Sequence, residues 1–149
     1  MDLPISTEDL TRLYRFALLL TGDEVAAQQV FYDACADCAP RLGTYRNDDG
    51  RKACVMGDLR QKAKLAAAGD ARDARDARDG RGLARAFATL PEEERAALAG
   101  LYTGLLPARA LAETLKMSLD QMGHALKSAR ERLGRAGLEL GEPTLEQAL

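Results

Sequence analysis

The chain of 149 residues lacks tryptophan, has a single histidine and contains only 5% aromatic residues. No apolar run reaches the about 18 residues that a membrane-spanning helix needs, so we expect no membrane insertion. The opening residues MDLPISTEDL are acidic and lack the basic and apolar parts of a signal peptide, which predicts a cytoplasmic location. A formal net charge of −2 excludes a general excess of positive charge, so any contact with nucleic acid would need a local basic patch.

Cysteine is also scarce, with Cys35, Cys38 and Cys54 the only three in the chain. Cys35 and Cys38 form a CxxC pair, which is typical of zinc and redox sites, but no second ligand pair follows at zinc-finger spacing. Both lie in a helical pattern near its apolar face, so we interpret the thiols as reduced and buried and expect no metal and no cofactor. No Ser/His/Asp set, phosphate-binding loop or carboxylate pair is visible, so we do not expect an enzyme.

What the chain does contain favours helices. Hydrophobic residues make up 46% of it, which is enough for a core, and Ala, Leu, Arg and Glu are good helix formers. Ser6 and Asp23 are predicted to cap the first two helices, and a third is predicted at about 51–68. We expect Pro40 to end the second helix and residues 41–50 to form a loop rich in turn formers.

The stretch 105–133, LLPARALAETLKMSLDQMGHALKSARERL, has the pattern of two helices and a sharp turn. Pro107 suits the first turn of the first helix, and Ser118 with Gln121 predicts a capping box at the start of the second. One apolar stripe follows at helical spacing and consists of Met122, Leu126, Ala129 and Leu133. This is the helix-turn-helix pattern, whose second helix enters the DNA major groove, although a helical hairpin in an ordinary core would give the same pattern.

The composition changes between the predicted helices of the N-terminal half and those of the C-terminal half. The stretch 69–82, GDARDARDARDGRG, repeats with a period of three and has no apolar residue larger than alanine, so it cannot bury a face. We interpret it as a flexible linker between an N-terminal domain at 1–68 and a C-terminal domain at 83–137, with a polar tail at 138–149. The sequence therefore predicts an all-α protein with two small helical domains joined by a flexible linker, the second ending in a helix-turn-helix.

Two stretches together resemble bacterial RNA polymerase sigma factors of the extracytoplasmic-function group. The first, LYRFALLLTGDEVAAQQVFYDAC at 13–35, is similar to the opening of that family's N-terminal domain. The second, LARAFATLPEEERAALAGLYTGLL at 83–106 followed by LAETLKMS and LKSARERL, is similar to its C-terminal domain. The resemblance covers roughly residues 8–137, and it implies a non-catalytic subunit that binds core RNA polymerase, recognises two promoter elements and helps to open the DNA.

The resemblance also implies where each partner would bind. The second helix would meet the polymerase clamp through Gln28, Gln29, Tyr32 and Asp33. The third helix would meet the promoter element near the start site through Lys52, Arg60, Gln61, Lys62 and Lys64. The last long helix would read the more distant element through Ser118, Gln121, His124, Lys127, Ser128 and Arg130.

The chain departs from the family pattern at several of these positions. Gln28 and Gln29 stand where the family often has acidic residues, and Gly123 and Ala125 stand where it typically carries Lys or Arg. Because phosphate contacts supply much of the affinity for DNA, the loss of two positive charges would lower it. A second hypothesis is therefore a sigma-like interaction protein that binds an anti-sigma factor or polymerase without reading DNA. A continuous basic stripe on the last helix would favour DNA reading, and an interrupted one would favour a protein partner.

We predict that the segment 70–82 is a mobile joint between two folded domains, because none of its side chains can be buried. Limited digestion with trypsin should cut after Arg72, Arg75 or Arg78 and leave two folded pieces. Uniform resistance through this stretch would contradict the prediction.

Overall fold

The computed structural model describes residues 3–69 and 86–135, which contain six α-helices and no strand. This confirms the predicted all-α class. In chain order the helices are α1 (Thr7–Thr21), α2 (Glu24–Leu42), α3 (Asp48–Gly69), α4 (Glu92–Thr103), α5 (Ala108–Thr114) and α6 (Leu119–Arg135). Within the described ranges, no helix is both long and apolar enough to cross a membrane. The predicted joint at 70–82 and the polar tail at 138–149 lie outside the described residues, so the division into two domains stays a prediction.

The first two helices begin at the capping residues that the sequence predicts. Ser6 Oγ accepts a hydrogen bond from the Asp9 N–H at 3.1 Å, and the Asp23 carboxylate accepts one from the Ala26 N–H at 2.9 Å. Between them Gly22 adopts a left-handed conformation, with φ 72°, which ends α1 and suits a residue without Cβ. Local hydrogen bonding therefore fixes the sharp connection between α1 and α2.

The connection between α2 and α3 is shorter than the sequence predicts. The prediction that Pro40 ends the second helix is wrong, because α2 continues through it to Leu42. Pro40 lies in the last turn, where it removes one N–H, and the fully buried Leu42 holds this turn on the core. α3 begins at Asp48, where two acidic residues suit the positive end of the helix dipole. The predicted loop at 41–50 is thus reduced to residues 43–47.

The turn between α5 and α6 has the predicted capping box. The Gln121 N–H donates to Ser118 Oγ at 3.0 Å, and the Ser118 N–H donates to Gln121 Oε1 at 2.8 Å. Among the described residues other than glycine, Lys116 alone has a positive φ, 58°, and it reverses the chain between the two helices. The predicted stripe on α6 is confirmed, since its four members are buried: Met122, Leu126, Ala129 and Leu133.

One hydrophobic core runs through both halves of the described chain. α1, α2 and α3 pack on one another, and α4, α5 and α6 do the same. In addition α1 contacts α4, and α3 contacts α5. The large side chains that are fully buried include Leu13, Phe16, Met56, Leu59, Phe87, Leu98, Leu111 and Leu133. The two stretches that carry the family resemblance therefore share an apolar interface.

α4 and α5 approach each other closely at Gly100. A Cβ added at this residue would lie 2.5 Å from Cδ1 of Leu111, which is itself fully buried and has little room to move. Gly57 in α3 offers a contrast, because a Cβ added there would meet nothing within 4 Å.

We predict opposite effects for alanine at these two glycines. Overpacking at Gly100→Ala should cost about 1–3 kcal/mol, which exceeds the about 1 kcal/mol that alanine gains over glycine in a helix. Gly57→Ala should keep that gain and raise the free energy of unfolding by up to about 1 kcal/mol. Denaturant unfolding of both variants checks this, and equal stabilisation by the two substitutions would contradict the close approach.

Candidate functional site

α6 presents the predicted promoter-reading residues outside its apolar stripe. The stripe packs against α4 and α5, whereas Gln121, His124 and Lys127 are exposed and Ser128 and Arg130 are half-buried. Ser118 is exposed at the turn before the helix. Part of this surface is already in use, because the capping box takes Gln121 Oε1 and Ser118 Oγ.

The charge along the outer face of α6 is mixed. Five exposed residues share this face, because they follow one another at spacings of four, three, four and four. They are Asp120, His124, Lys127, Glu131 and Arg135. Carboxylates therefore alternate with cations along this face. We expect a continuous basic stripe on this helix for DNA reading and an interrupted one for a protein partner, so the mixed charge favours a protein partner.

A groove of about 480 Å³ lies between the start of α4 and α6. Its lining combines three predicted DNA-reading residues with the acidic first turn of α4 and consists of Pro91, Glu92, Glu93, Glu94, Gln121, His124, Ala125 and Ser128. Glu94 accepts a hydrogen bond from Arg132 Nε at 3.0 Å. The carboxylates make this edge of α6 unfavourable for phosphates, so DNA would have to approach from the other edge.

The predicted polymerase-binding residues lie on the solvent-facing side of α2. Gln28, Gln29 and Tyr32 are exposed, while Asp33 is half-buried and accepts from Gln29 Nε2 at 3.1 Å. Sequence reasoning missed Val25, which extends the same surface and is 75% exposed, beside Tyr32 at 67%. The signal was available, because Val25 falls outside the apolar stripe of α2. Exposed apolar side chains next to uncharged amides are typical of a surface that binds protein.

Arg60, which is predicted to bind DNA, lies at the contact between the two halves of the chain. Its Nε and Nη2 donate to the two carboxylate oxygens of Glu92 at 3.0 and 2.9 Å. Its Nη1 donates to the carbonyl oxygen of Leu115, at the end of α5, at 2.6 Å. Only 13% of the Arg60 side chain is exposed, so these contacts would have to break before it reached another ligand.

The other predicted residues of α3 are also paired, with one exception. Lys64 Nζ lies 3.6 Å from Glu92 Oε1, and Lys52 Nζ lies 3.4 Å from Asp49 Oδ1. Lys62 donates to Asp37 and lies 3.4 Å from Asp58. The hydrogen bond to Asp37 is the largest influence on Lys62 and raises its pKa. Gln61 is exposed. The structure thus gathers these five residues on α3 but leaves few of their polar groups open to a ligand.

A second arginine, Arg95 of α4, also connects the two halves, but here the donor is in the C-terminal half and the acceptor is in the N-terminal half. Its Nη1 donates to the carbonyl oxygen of Leu20, in the last turn of α1, at 2.8 Å. Its Nη2 donates to the carbonyl oxygens of Leu90 at 2.8 Å and Ala88 at 3.2 Å. Burial lowers the pKa of this guanidinium. Sequence reasoning assigned Arg95 no role, because its partner Leu20 is too distant along the chain for any spacing to reveal.

The described residues hold no group of three or more His, Cys, Asp or Glu side chains that could bind a metal ion. No protein-family model matches the chain, and no curated protein matches its sequence.

Glu92 connects Arg60 and Lys64 to the first turn of α4, and opposing effects set its pKa. Burial raises the pKa of this carboxyl, but the hydrogen bonds and charges of Arg60 and Lys64 outweigh burial and lower the pKa below its ordinary value. A carboxyl whose pKa is lowered by folding stabilises the folded state above its unfolded pKa. That contribution is lost as the pH falls through the lower, folded value.

We predict that Glu92→Gln lowers the free energy of unfolding by about 1–2 kcal/mol at neutral pH. Hydrogen bonds to charged groups contribute about 1.5–3 kcal/mol, and solvent reduces this contribution because 33% of the Glu92 side chain is exposed. Denaturant unfolding at pH 7 and at progressively lower pH measures this, and the difference from wild type should vanish once Glu92 is protonated.

Glu93→Gln is the matched control, since Glu93 is exposed in the same first turn and feels the same helix dipole. If both variants lose the same amount of stability, then the helix dipole accounts for the effect and the contact with Arg60 does not.

Proposed function

We propose that this chain is a divergent sigma factor, a non-catalytic subunit that binds core RNA polymerase and directs it to promoters through α5 and α6. The observation that carries the proposal is the geometry of this pair. A short helix and a turn at 115–118 lead through a capping box into a long helix with a fully buried apolar stripe. This is the arrangement that a helix-turn-helix protein needs to lay one helix in the major groove.

In this proposal the start of α6 reads bases and its later turns hold phosphates. Gln121 and His124 are exposed near the start, where Gln121 Nε2 can donate to a base edge and His124 can donate or accept. Lys127 and Arg130 follow and supply the positive charge that phosphates require. Ser118 stands before the start of this surface, where its hydroxyl group can donate to the DNA backbone. Ser128 lines the acidic groove, so it could bind the backbone only where the neighbouring carboxylates allow a phosphate to approach.

The exposed face of α2 is the proposed contact with polymerase. Val25 and Tyr32 supply apolar area and Gln28 and Gln29 supply hydrogen bonds, a combination that suits a protein surface. α3 would meet the promoter element near the start site through Lys52, Arg60, Gln61, Lys62 and Lys64. Arg60 can reach that DNA only after its bonds to Glu92 and Leu115 break, so the proposal requires the two halves of the chain to separate on the promoter.

The second candidate is a sigma-like interaction protein that binds an anti-sigma factor or polymerase and reads no DNA. Two observations favour it: Asp120 and Glu131 interrupt the outer face of α6, and the carboxylates of α4 border Gln121 and His124. A mixed-charge helix beside an acidic groove suits a partner that carries both signs of charge.

We predict that restoring positive charge with Gly123→Lys and Ala125→Arg tightens binding to the promoter by the polymerase complex. Both positions are half-buried on α6. Gly123 lies on the flank away from the acidic groove, where a lysine can reach a phosphate, whereas Ala125 lines the groove, where an arginine would offset the carboxylates. Each new phosphate contact should also steepen the dependence of log affinity on log salt by about 0.9. The measurement is selection of promoter fragments from a pool by polymerase with each protein, followed by titration at several salt concentrations.

Thr7→Lys with Thr11→Arg is the control, because both residues are exposed on α1 and the substitutions add the same charge away from α6. If the chain is instead a sigma-like interaction protein, it should bind polymerase or an anti-sigma factor, and the substitutions on α6 should add no specific DNA binding. If neither wild type nor the α6 variant selects any promoter in the presence of polymerase, the sigma-factor proposal fails and the second candidate replaces it.

A further inference from the structure

The end of α2 and the start of α3 bring together two thiols that have no part in the proposed function. Cys38 Sγ lies 3.6 Å from the carbonyl oxygen of Cys54, a residue 16 positions away along the chain. The two side chains also lie close enough to interact, since, after burial, the neighbouring Cys54 is the next influence that raises the pKa of Cys38. Cys38 is fully buried, whereas Cys54 is only partly buried and is therefore the more accessible of the two residues.

Polar groups surround this pair. Arg41 Nη2 donates to Cys38 Sγ at 3.6 Å, and the Cys54 side chain is the largest influence on the Tyr45 hydroxyl, whose pKa it raises. The pKa of Cys38 is raised to about 12, mainly by burial; Cys54 and Asp58 also raise it, and the positive charge of Arg41 lowers it. Cys38 is therefore a protonated thiol at neutral pH and a poor first target for an oxidant.

We propose that Cys38 and Cys54 are a peroxide-sensitive pair that forms a disulfide bond between α2 and α3. Cys54, the more exposed of the two, reacts first. Its sulfur attacks one oxygen of hydrogen peroxide, the O–O bond breaks, one water leaves, and Cys54 becomes a sulfenic acid. The sulfur of Cys38 then attacks that of Cys54, the S–S bond forms, the S–O bond breaks, and the hydroxyl leaves as water with the proton of Cys38.

The atoms and electrons of this reaction balance. Two thiols together lose two protons and two electrons, and the peroxide takes them up to become two waters. Arg41 assists the second step, because its guanidinium stabilises negative charge as the proton leaves Cys38. Cys35 serves as an internal comparison, because it is also buried and burial raises its pKa. The contact with the carbonyl oxygen of Cys54 is made by Cys38 and not by Cys35.

The test is a thiol map of the full chain treated with hydrogen peroxide, alkylated under denaturing conditions and digested with trypsin. Mass spectrometry should find one intramolecular bond between Cys38 and Cys54, with Cys35 alkylated and the intact mass lower by two hydrogens. Dithiothreitol should restore three free thiols. The oxidised protein should also unfold at a higher temperature, since a cross-link restricts the unfolded chain.

Two variants complete the design. Cys35→Ser should still form the bond, and Cys54→Ser should abolish it. If Cys54→Ser does not fold, the map of the wild-type protein decides alone. Three alkylated thiols after peroxide, a bond between Cys35 and Cys54, a bond between two chains, or oxidation of Cys54 to a sulfinic acid without a bond would each overturn the proposal.

Discussion

The arrangement of the two halves depends on two arginines that each complete a helix end in the other half. Arg60 of α3 donates to the carbonyl oxygen of Leu115 at the end of α5, and Arg95 of α4 donates to that of Leu20 in the last turn of α1. The last carbonyls of a helix have no donor within the helix, so a helix end that is buried needs an outside partner. Loss of either guanidinium would therefore leave a carbonyl unsatisfied beside the shared core.

The same contact links the architecture to the proposed function. If Arg60 binds a phosphate, it exchanges the carboxylate of Glu92 for another anion, and this exchange by itself changes the free energy little. Two other changes cost more free energy: the carbonyl oxygen of Leu115 loses its hydrogen-bond donor, and apolar area becomes exposed where α3 separates from α5. If the chain binds a promoter as proposed, the free-energy difference between the closed arrangement and the bound one would be set mainly by the apolar interface, and the ion pair would determine how the two halves align.

Local features of the fold could be predicted from the sequence, and long-range contacts could not. The caps at Ser6, Asp23 and Ser118 follow from hydrogen bonds between residues three apart, so spacing alone reveals them. The contact of Arg60 with Glu92 joins residues 32 positions apart, and no periodicity encodes it. The end of α2 was missed for a related reason, because the burial of Leu42 by the other helices outweighs the local effect of a proline in the last turn.

The mixed charge of α6 places a further condition on DNA reading. Asp120 stabilises the start of the helix through its dipole, yet it stands where base edges and phosphates would approach. Arg132 adds little, since it already donates to Glu94. Isolated α6 should therefore bind DNA weakly, but anchoring through the exposed face of α2 to polymerase would convert promoter binding into an intramolecular step. A high effective concentration would then compensate for low intrinsic affinity. In the proposed sigma factor, the exposed Val25 and Tyr32 on α2 would therefore contribute to promoter affinity through polymerase, together with the residues of α6.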